Sequence, residues 1–383
     1  MNFIKSTANY MKNHLVIVRT CANVLDINTY NCQELGLAKA LLKKGLCVSL
    51  VLAGLESKIL NVRTDFGTIG VHYLRFHSLD QRFGCFIGLD KKLQELKPAY
   101  IQVHDFGTFM TFEATKWAKK NKVPCFLIQG TYQLSPRPII RQLEFLFCKT
   151  FGKYTLKNVT GIGCKTQMSS RFISDYINRS TLQTNIGLDE SKFERSVRKD
   201  WRKKLNLDNK HILLYVGIME ERRRPHFLVD IIKLLPKEYV LILVGNGPQL
   251  VEIESRVEKE NLQGRVFLLG KLRQEELPAL YEQSDLFLLA SEYEIYGMVL
   301  LESMYFGLPV LSSFTAGSET LIDCGRDSFI VNDFDVNRWR NEIVTIFSDG
   351  QKLKSIKQLA RFKIKNQYIW DKAADTFINL YKL

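Results

Sequence analysis

Two carboxylates eight positions apart, Glu294 and Glu302, bracket the segment Ser291-Glu292-Tyr293-Glu294-Ile295-Tyr296-Gly297-Met298-Val299-Leu300-Leu301-Glu302. A buried strand over Leu286–Leu289 precedes them, so Glu294 falls in a loop and Glu302 a turn or more into the next helix. Between them the backbone N–H groups of Tyr296, Gly297 and Met298 are helix-start donors, suited to an anionic group. A carboxylate beyond them can accept hydrogen bonds from a sugar or ribose diol. Strand–glycine junctions recur at Tyr215-Val216-Gly217 and Val244-Gly245-Asn246-Gly247-Pro248. Glycine there lets a ligand approach the backbone. Arg222-Arg223-Arg224 follows the first junction and can neutralise a diphosphate. Taken singly, the acidic pair also reads as an exposed loop before an amphipathic helix, and the arginines as a solvated helix start.

Short apolar runs separated by helical stretches position these residues. In the first half, strands are expected at His14–Arg19, Cys47–Ala53, Val71–Arg75, Tyr100–Val103 and Pro124–Ile128, with helices at Tyr30–Lys44, Leu89–Leu96 and Thr111–Lys120. After a polar stretch, Gly187–Asp200, the pattern restarts. Strands at His211–Val216, Tyr239–Val244, Val266–Leu269, Leu286–Leu289 and Val310–Ser312 alternate with helices near Pro225–Leu235, Gln249–Glu260, Glu275–Gln283 and Gly297–Phe306. Such alternation means α/β architecture with parallel sheets covered on both faces. At 383 residues two such domains are expected. Their ligands would sit at the carboxyl ends of the strands and in the cleft between domains.

Tyr215–Leu228, Val244–Pro248, Val266–Lys271, Ser284–Ser291, the Glu294–Glu302 segment and Phe306-Gly307-Leu308-Pro309-Val310 together resemble the family-4 retaining glycosyltransferases. Thr184-Asn185-Ile186-Gly187-Leu188-Asp189-Glu190-Ser191-Lys192-Phe193 looks like that family's way into its second domain, and the tail around Trp370 and Tyr381 is similar to its closing helix. The resemblance implies the GT-B fold, two Rossmann-like doubly wound domains facing across a cleft. Residues 1–183 would bind the acceptor, 184–365 the nucleotide sugar, and 366–383 would cross back to the N-terminal domain. It further implies that Glu294 contacts the donor sugar near the reacting centre and Glu302 holds the nucleotide ribose. Arg222 and Arg223 would grip the diphosphate, with Arg223 also catalytic. Gly217 would let that phosphate approach, Gly270 and Lys271 would line the base, and Tyr296, Gly297 and Met298 would complete the donor site. A cationic clamp suits the reaction, because departure of a nucleoside diphosphate develops negative charge.

The chain departs from the family at several points. Arg223-Arg224 replaces Lys-Gly, and Asn28-Thr29 stands where the first loop usually carries Gly-Gly. Gln129-Gly130 stands where many members place a histidine. The nearest histidine is His104, followed by Asp105, at another strand's end. His104 is thus the candidate acceptor-side catalytic group, with Asn28, Thr29, Asp105 and Gln129 as acceptor-binding candidates; a structural role for His104 at its strand end stays open. Asp333-Phe334-Asp335 is a DxD, the metal–diphosphate signature of a different glycosyltransferase fold, but its place before a helix suggests capping. No metal site and no cofactor are expected beyond the nucleotide sugar, UDP- or GDP-linked, as co-substrate.

Composition narrows the class. Hydrophobic residues make up 46% and charged residues 25%, as in an ordinary folded protein. No run is long enough for a membrane helix, and Leu15–Val18 is too short for a signal peptide's core. The eight cysteines form no CxxC pair, which argues for a reducing cytosol and against a zinc module. The net charge of +14 is lopsided: residues 1–190 hold 25 Lys+Arg against 13 Asp+Glu, and residues 191–383 hold 29 against 27. A basic half suggests an anionic partner. Arg137, Arg141, Lys149, Lys153 and Lys157 interleave with Ile139, Ile140, Leu143, Phe145, Leu146, Phe147, Phe151 and Tyr154. That reads either as a helix on the inner face of the cell membrane or as a core helix with a cationic edge.

The expected activity is hexosyl transfer to a glycan or lipid-linked saccharide, in bacterial cell-surface polysaccharide synthesis, by a cytoplasmic enzyme. The rivals are an epimerase or phosphorylase on the same fold, and a basic nucleic-acid-binding protein. No RNP, KH, zinc-finger or helix-turn-helix signature supports the last, so no nucleic-acid partner is expected.

Overall fold

The computed structural model describes residues 13–28, 32–80, 82–194 and 196–382. Thr29 and the expected helix start at Tyr30 lie outside them. The chain divides into two compact units, residues 1–187 with Trp370–Leu383, and Leu188–Ile369.

The first unit is built on β1 (His14–Val18), β2 (Cys47–Ala53), β3 (Lys58–Thr64), β4 (Gly67–Leu74), the small antiparallel pair β5 (Phe76–Ser78) and β6 (Gly84–Phe86), β7 (Tyr100–His104), β8 (Cys125–Gln129), β9 (Gly161–Cys164) and β10 (Leu182–Gln183). The main sheet runs β10-β9-β8-β7-β1-β2-β4-β3. All of it is parallel except β3, which returns antiparallel along β4. Every residue of β1 and β8 is buried, because helices cover both faces. The strand expected at Val71–Arg75 runs over Gly67–Leu74, and Arg75 lies beyond it. Strand β3 has no apolar alternation to announce it: as an edge strand most of its residues are exposed. The helix Gln33–Lys43 is shorter than expected.

Helix Trp370–Tyr381 closes this unit. Trp370 packs so tightly on Gly36 and Gly187 that a Cβ on Gly36 would lie 2.1 Å from its Nε1, and one on Gly187 2.6 Å from its Cα. Asn185 N–H donates to Thr376 Oγ1 (3.1 Å), and Tyr381 Oη donates to Gln102 Oε1.

The second unit has β11 (His211–Val216), β12 (Tyr239–Val244), β13 (Val266–Gly270), β14 (Leu286–Leu289), β15 (Val310–Ser313) and β16 (Phe329–Val331). Their order, β13-β12-β11-β14-β15-β16, is all parallel. Counted from the unit's first strand this is the doubly wound 3-2-1-4-5-6 arrangement. The winding direction reverses between β11 and β14, and in the first unit between β1 and β7. The loops at those two switch points carry most of the chemistry expected from sequence.

All eight cysteines are free thiols. Burial pushes the Cys125 and Cys148 thiols up to about 12, so both behave as small hydrophobes. Among the described residues no helix is long and apolar enough to cross a membrane.

Candidate active site

At the switch point of the second unit the chain after β11 meets the chain after β14. Gly217 N–H donates to Val244 O (2.9 Å) and Gly245 N–H to Gly270 O (2.8 Å), so three glycines stitch the ends of β11, β12 and β13. The stitching leaves no room for a side chain at Gly245: a Cβ there would lie 1.8 Å from Gly217 O. Gly245 and Gly270 both have left-handed backbone, at φ 140° and 61°, which favours glycine. The space beside Gly270 is open, and Lys271 next to it is exposed.

The arginines follow in a 3-10 turn, Glu221–Arg223. Arg223 NH1 lies 3.0 Å from Glu294 Oε1, and Arg222 NH1 3.7 Å from the same oxygen. Ser291 Oγ donates to it as well (3.1 Å). Glu220 Oε1 holds both arginines from the other side, at 2.6 Å to Arg222 NH2 and 3.3 Å to Arg223 Nε. Arg222 also donates to Tyr293 O. Two guanidinium groups are thus fixed side by side in front of a backbone with no Cβ at Gly217. A hypothetical Cβ there would sit 3.3 Å from Arg223 NH1.

Arg224 is not part of this cluster. It pairs with Glu292 (2.5 Å) and lies over the Phe334 ring, 4.1 Å from its centroid. Its φ of 50° is left-handed, which explains why the resembled family uses glycine at that place.

Glu294 is 8% exposed and Glu302 3%. Glu302 is the fifth residue of helix Met298–Tyr305 and accepts from Tyr281 Oη (2.9 Å). The Tyr281 ring stacks on Phe306, 6° from parallel. Gly297, at φ 76°, starts that helix, with Tyr296 buried before it and Met298 partly exposed after it. Helix Ala316–Leu321 backs the loop: Gly317 N–H donates to Glu294 O (3.3 Å), and a Cβ on Gly317 would lie 2.2 Å from Tyr296 O. The structure therefore brings Gly217, Arg222, Arg223, Glu294 and the Tyr296–Met298 turn together. Sequence reasoning missed Glu220, Ser291 and Tyr281, which hold the two arginines, Glu294 and Glu302. Glu220 has a readable signal, its spacing of two and three from the arginines.

At the first unit's switch point, Thr20 after β1 meets the end of β7. Thr20 and Thr111 hydroxyls both donate to His104 O (2.5 Å each), and His104 N–H donates back to Thr20 Oγ1 (3.0 Å). The imidazole Nε2 is 3.1 Å from Gln102 Nε2. Desolvation, with Lys165 and Arg19 nearby, holds the His104 pKa well below the usual histidine range. A neutral imidazole can accept a proton or a hydrogen bond at its unprotonated nitrogen. Arg19 and Lys165 follow β1 and β9 directly; their places at carboxyl ends of parallel strands are the signal that could have found them.

The other acceptor candidates are engaged locally. Asp105, at φ 52°, accepts from the N–H groups of Gly130 and Thr131 (2.9 Å each). The Gln129 side chain bridges Phe106 N–H (3.1 Å) and Thr131 O (2.7 Å). Asn28 is exposed and bonds to Asp26. Asp335 caps the helix Val336–Ser348 through Arg338 N–H (2.7 Å), and Asp333 pairs with Arg338 (2.5 Å), so the DxD is helix-capping chemistry.

Residues 197–363 match the family described as glycosyl transferases group 1. The whole chain has the GT-B fold. Anabaena HepE in complex with UDP superposes with a TM-score of 0.74 at 16% identity, covering 97% of this chain and 100% of that one. An Escherichia coli O-antigen chain mannosyltransferase B is 32% identical over 44% of this chain and 45% of its own. An Escherichia coli UDP-Gal:alpha-D-GlcNAc-diphosphoundecaprenol alpha-1,3-galactosyltransferase is 27% identical over 79% and 80%. Of three curated relatives the matched stretch spans 61%, 46% and 45% of the length.

Proposed function

We propose that the protein is a retaining, metal-independent glycosyltransferase, moving a hexose from UDP- or GDP-sugar to a hydroxyl of a glycan or lipid-linked saccharide in bacterial cell-surface polysaccharide synthesis. The observation that carries the reading is the fixed pair Arg222 and Arg223, 3.7 and 3.0 Å from Glu294 at a topological switch point. Arg222 and Arg223 bind the diphosphate and stabilise the charge that grows as it leaves. Glu294 orients the sugar, Glu302 holds the ribose, and Gly270 with Lys271 lines the base. The acceptor hydroxyl attacks on the face from which the diphosphate departs, with His104 on the acceptor side. The UDP named for HepE and the UDP-galactose and diphosphoundecaprenol named for the galactosyltransferase support this donor and acceptor class.

Metal independence rests on the arginine pair taking the role of a cation and on the DxD aspartates being engaged in a helix cap. Thermal stabilisation by UDP, GDP and ADP identifies the base, since a ligand at 100 times its Kd adds ~2.7 kcal/mol. Turnover of the stabilising nucleotide's sugars should survive EDTA. Loss with EDTA and recovery with magnesium would overturn this account of the leaving group.

Attachment to the cytoplasmic face of the membrane belongs to the same reading. Helix Pro138–Phe147 turns Ile139 (77% exposed), Leu143 (56%) and Leu146 (62%) to solvent beside Arg137 and Arg141. These exposed apolar side chains support the membrane reading of this helix, while Phe147, Cys148 and Leu156 further along the segment are buried. Co-sedimentation with anionic vesicles, released at high salt and absent with neutral vesicles, is the expected result.

A further inference from the structure

The same segment has a second feature. Helix Pro138–Phe147 continues through a π-helical turn, Cys148–Gly152, into helix Lys153–Asn158. A π-turn shifts the register of side chains along a helix and is common at functional sites. Here Phe147 and Phe151 stack at 5.2 Å. Phe83 meets Phe147 edge-on at 5.6 Å, and Phe109 meets Phe151 at 6.2 Å. These rings, with Leu79 and Cys85, line a trough of about 440 Å³ that no charged side chain enters, His77 apart. Leu79 at its mouth is 95% exposed. Phe109 begins the helix that follows β7, five positions after His104.

We propose that this aromatic trough receives one acyl chain of an anionic membrane phospholipid. The volume suits a small apolar ligand, and its lining lacks the convergent polar groups that a sugar would need. Basic residues on the same segment fit an anionic head group: Arg137, Arg141 and Lys149 are exposed and lie on the helical segment that supplies Phe147 and Phe151. Once the exposed face of Pro138–Phe147 has adsorbed, bilayer chains are the hydrocarbon within reach of Leu79. The inference thus rests on the membrane-attachment reading but makes a separate claim, binding of a single chain in a defined place.

Calorimetric titration of the full chain with butyl, octyl and dodecyl phosphate, each below micelle formation and without vesicles, tests it. Affinity should rise about fourfold per buried methylene and level off once the trough is full. No binding of dodecyl phosphate, or affinity independent of chain length, would overturn it. Leu79→Asp, at a position too exposed to affect folding, should weaken dodecyl phosphate at least tenfold, and Ser78→Trp should do so by filling the trough. Wild-type affinity in both would also overturn it. Farnesyl phosphate binding tenfold tighter than dodecyl phosphate would give the trough to an isoprenoid chain and overturn the phospholipid assignment. The two readings fail separately. Arg137, Arg141, Lys149 and Lys153 changed to Gln should abolish vesicle adsorption, whereas Leu79→Asp should leave its salt-sensitive part intact. Adsorption unaffected by the glutamine changes would sink the attachment reading alone.

Discussion

Arg223 is the residue on which the proposed donor site turns, because it joins Glu220 and Glu294 and also reaches the space before Gly217. On the proposed function, Arg223→Ala removes a charge-assisted contact of ~1.5–3 kcal/mol to the diphosphate. Transfer at subsaturating donor should fall roughly ten- to a hundredfold, with an unchanged circular dichroism spectrum. Wild-type kinetics would take Arg223 out of the site. Glu302 makes a different point. It is buried with Tyr281 as its hydroxyl donor, so Tyr281→Phe leaves a buried carboxylate short of one bond. A loss of about 1–3 kcal/mol is expected on denaturant titration, together with weaker nucleotide binding if Glu302 holds the ribose as proposed, since that carboxylate loses its orientation. An unchanged nucleotide affinity would restrict Tyr281 to stability.

At the scale of elements, the Glu294 loop is held from behind by helix Ala316–Leu321. Gly→Ala within a helix normally stabilises by roughly 0.5–1 kcal/mol. Gly317→Ala should reverse that sign, because the new methyl would strike Tyr296 O and push the Glu294 loop outward. Melting temperature and stabilisation by UDP should both fall. Gly350→Ala, in helix Gly350–Gln367 with open space around it, serves as the comparison and should be neutral or stabilising. If Gly317→Ala behaves like Gly350→Ala, the loop does not depend on that contact.

The strands of the second unit were legible in sequence almost residue for residue. His211–Val216 and Tyr239–Val244 are buried on both faces and so read as unbroken apolar runs. Edge strand β3 and the hairpin β5–β6 were not, because neither needs an apolar pattern. In the candidate site the glycines and arginines could be read because backbone clearance and charge demand particular residue types. Ser291 and Tyr281 could not, since many hydroxyl residues could serve and only the fold selects which one is near. The acceptor candidates of the first unit rest on position along the chain alone, whereas in the fold Asp105 and Gln129 join adjacent loops.

On the scale of the whole molecule, acid should weaken the first unit selectively. Desolvation lowers the pKa of His14, His72 and His104, all on its sheet. Each binds its proton less readily folded than unfolded, so below about pH 6.5, the unperturbed histidine pKa, the unfolded chain binds more protons than the folded one. Stability is therefore fully present above that pH and is lost as pH falls towards the folded-state values. Denaturant titrations at pH 7.5 and 5.5 should show it, and His104→Gln should reduce the slope. A stability that rises on acidification would contradict the burial of neutral imidazoles.

Helix Trp370–Tyr381 gives the chain an order of assembly. Gly36, Gly187 and Gln102 wait for Trp370 and Tyr381, which a ribosome makes only after all of Leu188–Ile369. Domains generally fold as units and N-terminal first during synthesis, yet here the earlier unit stays unfinished until the later one has emerged. The nascent chain must therefore carry an apolar seam through most of translation. Chaperone dependence, rather than final stability, is where substitutions in this last helix should first be felt.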